Sequence, residues 1–455
     1  MNRVRCVAIL LVVGAAARDA VAGGMVLPVR GMRAVERAGA LIAGADDASA
    51  LWLDPAGLAT LAGDGHRQLL FDAAYVYQTV DYARLDASGN ALPAVSNHQP
   101  GQPIPTLAGA LGIGDRLVIA GGIAAPYSAP HRYDSDGAQR YASVSLDSAA
   151  FVYVTLGAAY KVSDQLRVGA TVTDVVSKLV SQIVMSGCPG QTVCAPEDRA
   201  FDMLVKQTQT DYVAPTGSLG VQYDMERRAT LGLAIQAPSR VSAPGTFTAR
   251  LPSAAVFDGA RVAGDQATLS FTLPAAIRAG IELRPTPVLR IEAAIDIELW
   301  SMHDAITLAP HDVRIENAGG ATYAFGEVAI PRSYKNSFAP SLGIEWHGPG
   351  VTLGAGYSYE TAAAPTGTVS VLTVDSAKHL IGIGGGYDAD GWEIGASAGL
   401  VLLSEVHVPL ADAKVPALAP LRDPSTEPSD TIPGINAGTY QSHYLIAGLR
   451  FARRF

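Results

Sequence analysis

The stretch from residue 288 to residue 300 reads VLRIEAAIDIELW, and its side chains alternate between two chemical characters. A period of two indicates a β-strand, because successive side chains of a strand point to opposite faces. One face here suits hydrocarbon and the other suits water, as in a strand of a transmembrane barrel. The apolar face carries Leu289, Ile291, Ala293, Ile295, Ile297 and Leu299, and the polar face carries Arg290, Glu292, Asp296 and Glu298.

The run before it, residues 275–284, has the same period. Ile277 and Ile281 lie on its apolar face, whereas Arg278 and Glu282 lie on its polar face. Only Pro285-Thr286-Pro287 separates the two runs, and prolines suit a tight connection outside the hydrogen-bonded ladder. The two runs are therefore predicted to form a hairpin.

Similar runs recur along the chain, and short connections largely alternate with connections of tens of residues, as at 304–334 and 404–440. An even-stranded outer-membrane barrel with short periplasmic turns and long outer loops has this alternation. We therefore predict an all-β fold, a transmembrane antiparallel β-barrel of about fourteen strands. The strands are expected near residues 69–85, 104–113, 116–126, 149–162, 165–184, 200–223, 229–249, 267–284, 288–308, 335–346, 351–361, 376–387, 392–403 and 441–455.

Composition agrees with a barrel. The 455 residues are only 16% charged and have a positive mean hydropathy of +0.21, although no internal stretch approaches the roughly 18 consecutive apolar residues of a spanning helix. A soluble enzyme and a helical membrane protein are both disfavoured. The net charge of −9 argues against a nucleic-acid partner, since no basic stripe is there to bind phosphates.

The N-terminus predicts export. Residues 1–22 read as a signal peptide, with Arg3 and Arg5 before an apolar core and Ala20-Val21-Ala22 as the cleavage site. After its removal two cysteines remain, Cys188 and Cys194, which in an exported protein are expected to form a disulfide. The pair lacks the further ligands of a zinc site, so no metal is predicted.

Aromatic residues gather at the predicted strand ends, where interfacial girdles belong. The alternative, an aromatic core of a soluble β-sandwich, stays open at this stage. The chain ends on Phe455, which resembles the terminal aromatic signal that barrel-assembly machinery reads, although Arg453 departs from the usual apolar choice. The aromatic residues concerned are Trp300, Trp346, Trp392, Tyr357, Tyr359 and Tyr387.

Residues 23–68 do not alternate as strands. Residues 34–48 and 56–62 are Ala-rich with helical spacing, and Asp54 is well suited to cap a helix that starts at Pro55. Because a fourteen-stranded lumen is too wide for its own side chains to fill, we predict that 23–68 is a mostly helical hatch plugging the barrel of residues 69–455. A periplasmic tail or linker is the alternative.

At this point the sequence resembles the FadL/TodX-type outer-membrane transporters of long-chain fatty acids and aromatic hydrocarbons. The resemblance rests first on the hatch: Gly23-Gly24-Met25, residues 33–40, the Ala-Asp-Asp-Ala run at 45–48 and Asp54-Pro55-Ala56-Gly57-Leu58. The family usually has Asn in place of Asp54, and both residues cap helices. Weaker matches follow in order along the barrel, at 273–280, 300–301, 334–346, 353–359 and 375–387.

The resemblance implies a passive transporter in the bacterial outer membrane, acting as a monomer without a cofactor. Its ligand would be a fatty acid, hydrocarbon or detergent, and its other partners would be outer-membrane lipid and the barrel-assembly machinery. It also implies that a kink in the third strand opens the wall for sideways release, here at Gly121, Gly122 and Pro126. The hatch and ligand gate would comprise Gly23, Gly24, Met25, Asp46, Asp47, Asp54, Pro55 and Ala56.

Catalytic motifs are poorly supported, so no catalytic residue is predicted. Residues 395–399 match G-x-S-x-G, but Ser397 lies in an alternating strand rather than on the strand-to-helix turn that a nucleophile needs. The glycine run at 382–386 lacks the Lys and helix of a phosphate loop. The nine histidines have no ligand spacing. An adhesive or structural barrel, or less favourably a lipolytic one, remains the alternative to a transporter.

The charges on the lumenal face of strands 275–284 and 288–300 are predicted to form a salt-bridge lattice that anchors the hatch. Arg278, Arg284 and Arg290 are also the candidates for binding the head group of a fatty acid.

Overall fold

The computed structural model describes residues 30–127, 130–190, 194–195, 197–226, 228–422 and 434–455. The predicted signal peptide and Gly23-Gly24-Met25 lie outside the described residues. Antiparallel strands form a closed barrel, because the last strand pairs with the first from Gln68↔Arg454 to Arg84↔Gly438.

Fourteen strands, named β1 to β14, make up the wall, and each overlaps one of the predicted strands. The predicted fold class is therefore confirmed. The strands are β1 Arg67–Arg84, β2 Gln102–Ile113, β3 Leu117–Tyr127, β4 Ser145–Lys161, β5 Leu166–Ser186, β6 Asp202–Asp211 and Pro215–Met225, β7 Ala229–Gln236 and Ser239–Arg250, β8 Gln266–Leu273 and Ala276–Thr286, β9 Leu289–Glu298 and Ala305–His311, β10 Ser337–Gly348, β11 Val351–Glu360, β12 Lys378–Ala389, β13 Trp392–Leu403 and β14 Gly438–Arg454.

The alternating pattern sorts side chains between lipid and lumen as predicted. On β8, Ile277 and Leu283 are 36% and 46% exposed, whereas Arg278 and Glu282 are 1% and 0% exposed. The outward side chains face the membrane, and the inward ones are covered by the chain itself. No helix among the described residues is long and apolar enough to cross a membrane.

Strands β6 to β9 are each interrupted at a similar level, at residues 212–214, 237–238, 274–275 and 299–304. Pro238 and Pro274 lie in two of these breaks, and proline has no N–H to donate to a ladder. The interruptions divide this side of the barrel into a lower half near the periplasmic turns and an upper half near the outer loops.

The outer connections carry the remaining elements. Four short strands extend the barrel sheet: Val95–Ser96, His131–Arg132, Val328–Pro331 and Val406–Val408. Arg261–Ala263, Arg314–Ala318 and Ala321–Ala324 form a separate three-stranded sheet. Short 3₁₀ helices span Arg199–Phe201, Ala255–Phe257, Trp300–Met302, Thr366–Thr368 and Leu410–Asp412. Cys188 and Cys194 form a disulfide in the connection after β5.

The segment before β1 contains three short helices, α1 at Met32–Glu36 and 3₁₀ helices at Ala48–Trp52 and Pro55–Leu61. Asp54 caps the last one by accepting from the Ala56 N–H at 3.0 Å, which confirms the predicted cap. The helix predicted over 34–48 ends early, at Glu36. Its later amides have another acceptor, since the N–H groups of residues 42–44 all donate to the Glu292 carboxylate on β9.

The aromatic prediction is right for two tryptophans and wrong for the third. Trp346 and Trp392 are 42% and 51% exposed near the short turns, as a girdle requires. Trp300 is fully buried, because the break in β9 at 299–304 turns its side chain inward. Arg453, which departs from the apolar pattern of β14, lies over the rings of Trp392 and Phe455.

Candidate functional site

The hatch is held in the lumen by buried ion pairs, and Arg37 is at their centre. Its side chain is fully buried, and its guanidinium contacts Glu282 at 3.2 Å, Glu292 at 3.0 Å and Glu345 at 3.3 Å. These carboxylates come from β8, β9 and β10. One hatch side chain therefore joins three wall strands.

Neighbouring hatch residues extend this network. Arg33 bonds to Glu345 at 2.8 Å and pairs with Asp46. Asp47 accepts from the Ser49 N–H at 2.7 Å and pairs with Arg450 of β14 at 2.9 Å. The Asp46-Asp47 pair that the resemblance singled out thus ties the hatch to itself and to the wall.

The predicted lumenal lattice is present, and most of it is buried against the hatch, although the Arg284 side chain is 30% exposed. Arg278 pairs with Asp296 at 3.0 Å. Arg284 pairs with Glu282 at 3.1 Å, and Arg290 pairs with Asp46 at 2.7 Å. All three candidate head-group arginines therefore already have carboxylate partners. Their binding to a ligand stays a prediction.

Lumenal glycines let the hatch backbone approach the wall. A Cβ on Gly382 of β12 would lie 2.0 Å from the Val35 carbonyl oxygen, and one on Gly220 of β6 would lie 2.0 Å from Asp54 Oδ1. Within the run at 382–386, Gly382 and Gly384 therefore pack against the plug, as the sequence indicated, whereas Gly386 contacts only the neighbouring strand β13.

Two hatch carboxyls are buried in surroundings that favour their neutral forms. Burial raises the pKa of Asp54 to about 8, against a weaker opposing effect of the hydrogen bond from Ala56. Burial also raises the pKa of Glu36 to about 7, and nearby Glu345 adds to the rise. Glu36 accepts a hydrogen bond from Ser397 Oγ at 3.0 Å. Ser397, the serine of the G-x-S-x-G match, is thus a strand residue that contacts the hatch.

A cavity, the inner cavity, lies against the hatch. Its charged groups are paired, since Arg30 bonds to Asp296 at 2.9 Å and to Glu298 at 3.2 Å. The hatch supplies one wall of this cavity, so any displacement of the hatch changes its shape. Its other lining includes Ala34, Ala38, Ile42, Leu53, Leu380, Val401, Lys378 and Tyr444.

A second cavity, the outer cavity, lies among the upper halves of the strands and is almost wholly apolar. Its one charged side chain is Arg332, which is only 1% exposed. The guanidinium donates to Thr373 Oγ1 at 2.6 Å, and its Nε has no partner. Among the described residues no carboxylate lies within ion-pairing distance of Arg332.

An aromatic cluster connects the linings of the two cavities. Phe151 and Phe271 line the outer cavity, and their ring centroids are 5.8 Å apart. Phe271 contacts His303, His303 contacts Trp300, and Trp300 donates through Nε1 to Glu298 of the inner cavity at 2.7 Å. Tyr127, Tyr153 and Tyr334 complete the cluster.

The wall is incomplete between β2 and β3. Their ladder runs from Ile113↔Leu117 only to Leu107↔Ile123, whereas β2 pairs with β1 as far as Gln102. Beyond Ile123 the β3 strand pairs with β4 alone, across an irregularity between Ala124 and Tyr127 that includes Pro126. On β2, residues 103 and 105 are prolines, which cannot donate to a neighbouring strand. Residues 102–106 and 124–127 thus border an unpaired stretch, the wall gap.

The two glycines of β3 face opposite ways near this gap. A Cβ on Gly122 would lie 2.8 Å from the Trp52 ring of the hatch, whereas one on Gly121 would meet Leu156 of β4. Of the residues predicted to form the kink, Pro126 borders the wall gap, whereas Gly121 and Gly122 lie in the paired part of the ladder, opposite Gly109 and Ala108.

Sequence reasoning missed Arg37, Arg332 and the aromatic cluster. Arg332 is a single arginine in a polar outer connection, which carries no recognisable spacing. The residues of the cluster come mainly from β3, β4, β8 and the break in β9, so no local sequence pattern predicts it.

An apolar outer face, a closed antiparallel wall and a lumen plugged by an N-terminal hatch define a transport barrel of the bacterial outer membrane. The chain belongs to the outer membrane protein transport protein family (OMPP1/FadL/TodX), whose sequence model matches residues 13–425.

Solved structures agree with this assignment. A FadL homologue of Pseudomonas aeruginosa superposes with a TM-score of 0.75 at 17% identity, covering 94% of this chain and 99% of that chain. The toluene transporter TodX of Pseudomonas putida gives 0.62 at 15% identity, with 90% and 94% covered. The toluene transporter TbuX of Ralstonia pickettii gives 0.60 at 15% identity, with 92% and 98% covered. At these identities the likeness shows the fold alone. No curated protein matches the sequence.

Proposed function

We propose that this protein takes up long-chain fatty acids, or similar apolar chains with an anionic head, by passive diffusion across the outer membrane. The single observation that supports this ligand class is the buried guanidinium of Arg332, which has no carboxylate partner among the described residues and lies in an otherwise apolar cavity.

The argument from Arg332 is energetic. A buried charge without a partner costs several kcal/mol, so such a site favours a ligand that supplies the opposite charge. A carboxylate can accept two hydrogen bonds from one guanidinium. A fatty acid would place its carboxylate on Arg332 and its chain in the apolar remainder of the outer cavity.

We propose a route that passes from the outer cavity through the aromatic cluster to the inner cavity. Displacement of the hatch, beginning at Gly23-Gly24-Met25, would then release the ligand sideways through the wall gap. A small depression supports the position of this exit, because Tyr444 lines both it and the inner cavity while Gln102, which also lines it, borders the gap. No energy source is needed, since diffusion down a gradient suffices.

A monoaromatic hydrocarbon is the second candidate ligand. The aromatic cluster supports it, and two of the superposed structures are toluene transporters. A hydrocarbon would not satisfy Arg332, and for that reason we rank it second.

Binding to Arg332 variants tests the choice between the two ligands. Arg332→Gln is expected to weaken oleate binding by about tenfold or more, a loss of about 1.4 kcal/mol, and to leave toluene binding unchanged. Arg314→Gln, which alters an exposed arginine of the outer three-stranded sheet, is the control and keeps oleate affinity. Equal oleate affinity in the wild type and Arg332→Gln, together with tight toluene binding, would favour the hydrocarbon.

Transport itself is tested in cells. A strain lacking the protein is expected to take up labelled oleate more slowly than the wild type, and equal rates for both oleate and toluene would support the structural or adhesive barrel instead. We propose no enzymatic activity. Ester hydrolysis that is lost in Ser397→Ala would contradict that.

A further inference from the structure

The outward face of strands β6 to β8 changes character at the strand breaks. Below the breaks, the lipid-facing side chains are apolar, as at Leu219, Leu233 and Ile281, which are 58%, 45% and 37% exposed. Above the breaks, the same face is polar. Its outward side chains include Thr208, Thr210, Ser242, Thr246, Thr248, Thr268, Ser270 and Thr272.

This change marks the outer limit of the hydrocarbon layer, because hydroxyl groups are costly against lipid chains. We call the upper outward surface of residues 177–186, 202–211, 239–250 and 266–273 the polar collar.

The polar collar is much taller than a phospholipid headgroup layer. The upper segment of β7, Ser239–Arg250, has 12 residues, which at about 3.3 Å each span roughly 40 Å along the strand. The headgroup region on one side of a bilayer is only about 5–8 Å thick. A thick layer of saccharide fits the collar better than a phospholipid headgroup does.

Four exposed cations stand on the collar: Lys178, Lys206, Arg240 and Arg250. Within the described parts of the chain, none of these side chains has a hydrogen bond or ion pair. The collar's carboxylates are already engaged, since Asp202 bonds to Arg140 at 2.8 Å and Asp211 accepts from the Ser242 N–H at 2.7 Å. The collar therefore presents net positive charge.

On the opposite side of the barrel, the outer end carries exposed carboxylates. There β1 carries exposed Asp81, and exposed Glu405 accepts from Gln441 of β14. Exposed carboxylates therefore lie on this side, and exposed Lys335 and Lys414 show that the outer end also carries cations outside the collar.

We propose that the polar collar binds the phosphorylated saccharide headgroup of lipopolysaccharide in the outer leaflet. The cations pair with its phosphates, and the rows of Thr and Ser hydroxyls bond to its sugar hydroxyls. The contact anchors strands β5 to β8 against the lipid, on the side of the barrel away from the wall gap. This surface is separate from the lumenal route, so its test does not depend on transport.

Native mass spectrometry of the purified protein in detergent, titrated with diphosphoryl lipid A that carries its inner-core sugars, tests the proposal. Lys178→Gln/Lys206→Gln/Arg240→Gln is expected to bind this glycolipid at least about tenfold more weakly than the wild type. A matched control, Arg67→Gln/Arg116→Gln/Arg228→Gln, removes three exposed cations at the periplasmic end and keeps wild-type affinity. Heat-modifiable gel mobility verifies that both variants are folded.

Three results would overturn the proposal. One is equal glycolipid affinity in the wild type and the collar variant. Another is an equal loss in the periplasmic control, which would indicate unspecific charge attraction. The third is binding of phosphatidylglycerol that is as tight and as sensitive to the collar variant, which would indicate an ordinary anionic phospholipid.

Discussion

At the scale of single residues, Asp54 caps a 3₁₀ helix of the hatch, and its carboxyl group is buried. Because burial raises its pKa to about 8, the seated hatch holds this proton more tightly than the unfolded chain does, whose carboxyl has the ordinary value near 3.8. The stability that this group contributes is therefore fully present below about pH 4 and is lost as the pH rises to about 8. Asparagine, usual at this position in the resembled family, would keep the cap without the charge.

Asp54→Asn is accordingly expected to make the stability of the seated hatch less dependent on pH. Protease cleavage in the hatch should increase between pH 5 and pH 9 in the wild type and increase less in the variant. Asp115→Asn, in the exposed turn between β2 and β3, is the control and should follow the wild type. A variant with the full wild-type increase would show that another group, such as Glu36, causes the pH dependence.

Two glycines of β12, Gly382 and Gly386, allow a test of whether close packing of the hatch requires glycine. Gly382→Ala is expected to destabilise the seated hatch by about 1–3 kcal/mol, because its Cβ would lie 2.0 Å from the Val35 carbonyl oxygen. Gly386→Ala is the matched control, since its nearest contact would be an ordinary 3.4 Å. Faster proteolysis of the hatch should appear only in Gly382→Ala, and identical digestion of the two variants would contradict this packing.

At the scale of elements, the wall gap depends on two strands that cannot complete their ladder. Pro105→Val/Pro126→Val would restore backbone donors on β2 and β3 and is expected to narrow the gap. Oleate uptake by cells should fall severalfold while binding by the purified protein is kept. The control variant Pro285→Val/Pro287→Val, at the turn between β8 and β9, should change neither oleate uptake nor oleate binding. Undiminished uptake with a closed gap would argue for an exit through the hatch.

The strands and the hatch differ in how far their sequences predict them. Strand β8 shows its lipid face in a repeat of two residues, which depends only on local backbone geometry. The 34–48 segment has helical spacing, yet its helix ends at Glu36 because Glu292, about 250 positions away in sequence, accepts its later amides. A local pattern cannot report an acceptor that distant.

At the scale of the whole molecule, the hatch closes a lumen that the wall alone would leave open. Deletion of residues 23–66 with retention of the predicted signal peptide is expected to yield a conducting pore. Planar-bilayer recordings should show stable open channels for the deletion and none for the full chain. If the folded deletion variant shows no conductance, the outer loops close the lumen by themselves.

The sequence by itself determined the barrel, its fourteen strands, its short and long connections and the family resemblance, because a period of two and turn residues are local properties. Only the tertiary structure decided which arginine side chains lack a carboxylate partner. The sequence offered Arg278, Arg284 and Arg290 as lumenal cations and did not single out Arg332, but closure of the barrel gave the first three carboxylate partners and left the fourth buried without one. The reason is distance along the chain: Arg37 and Glu345 meet across 308 positions, and such contacts exist only once the barrel has closed around its hatch.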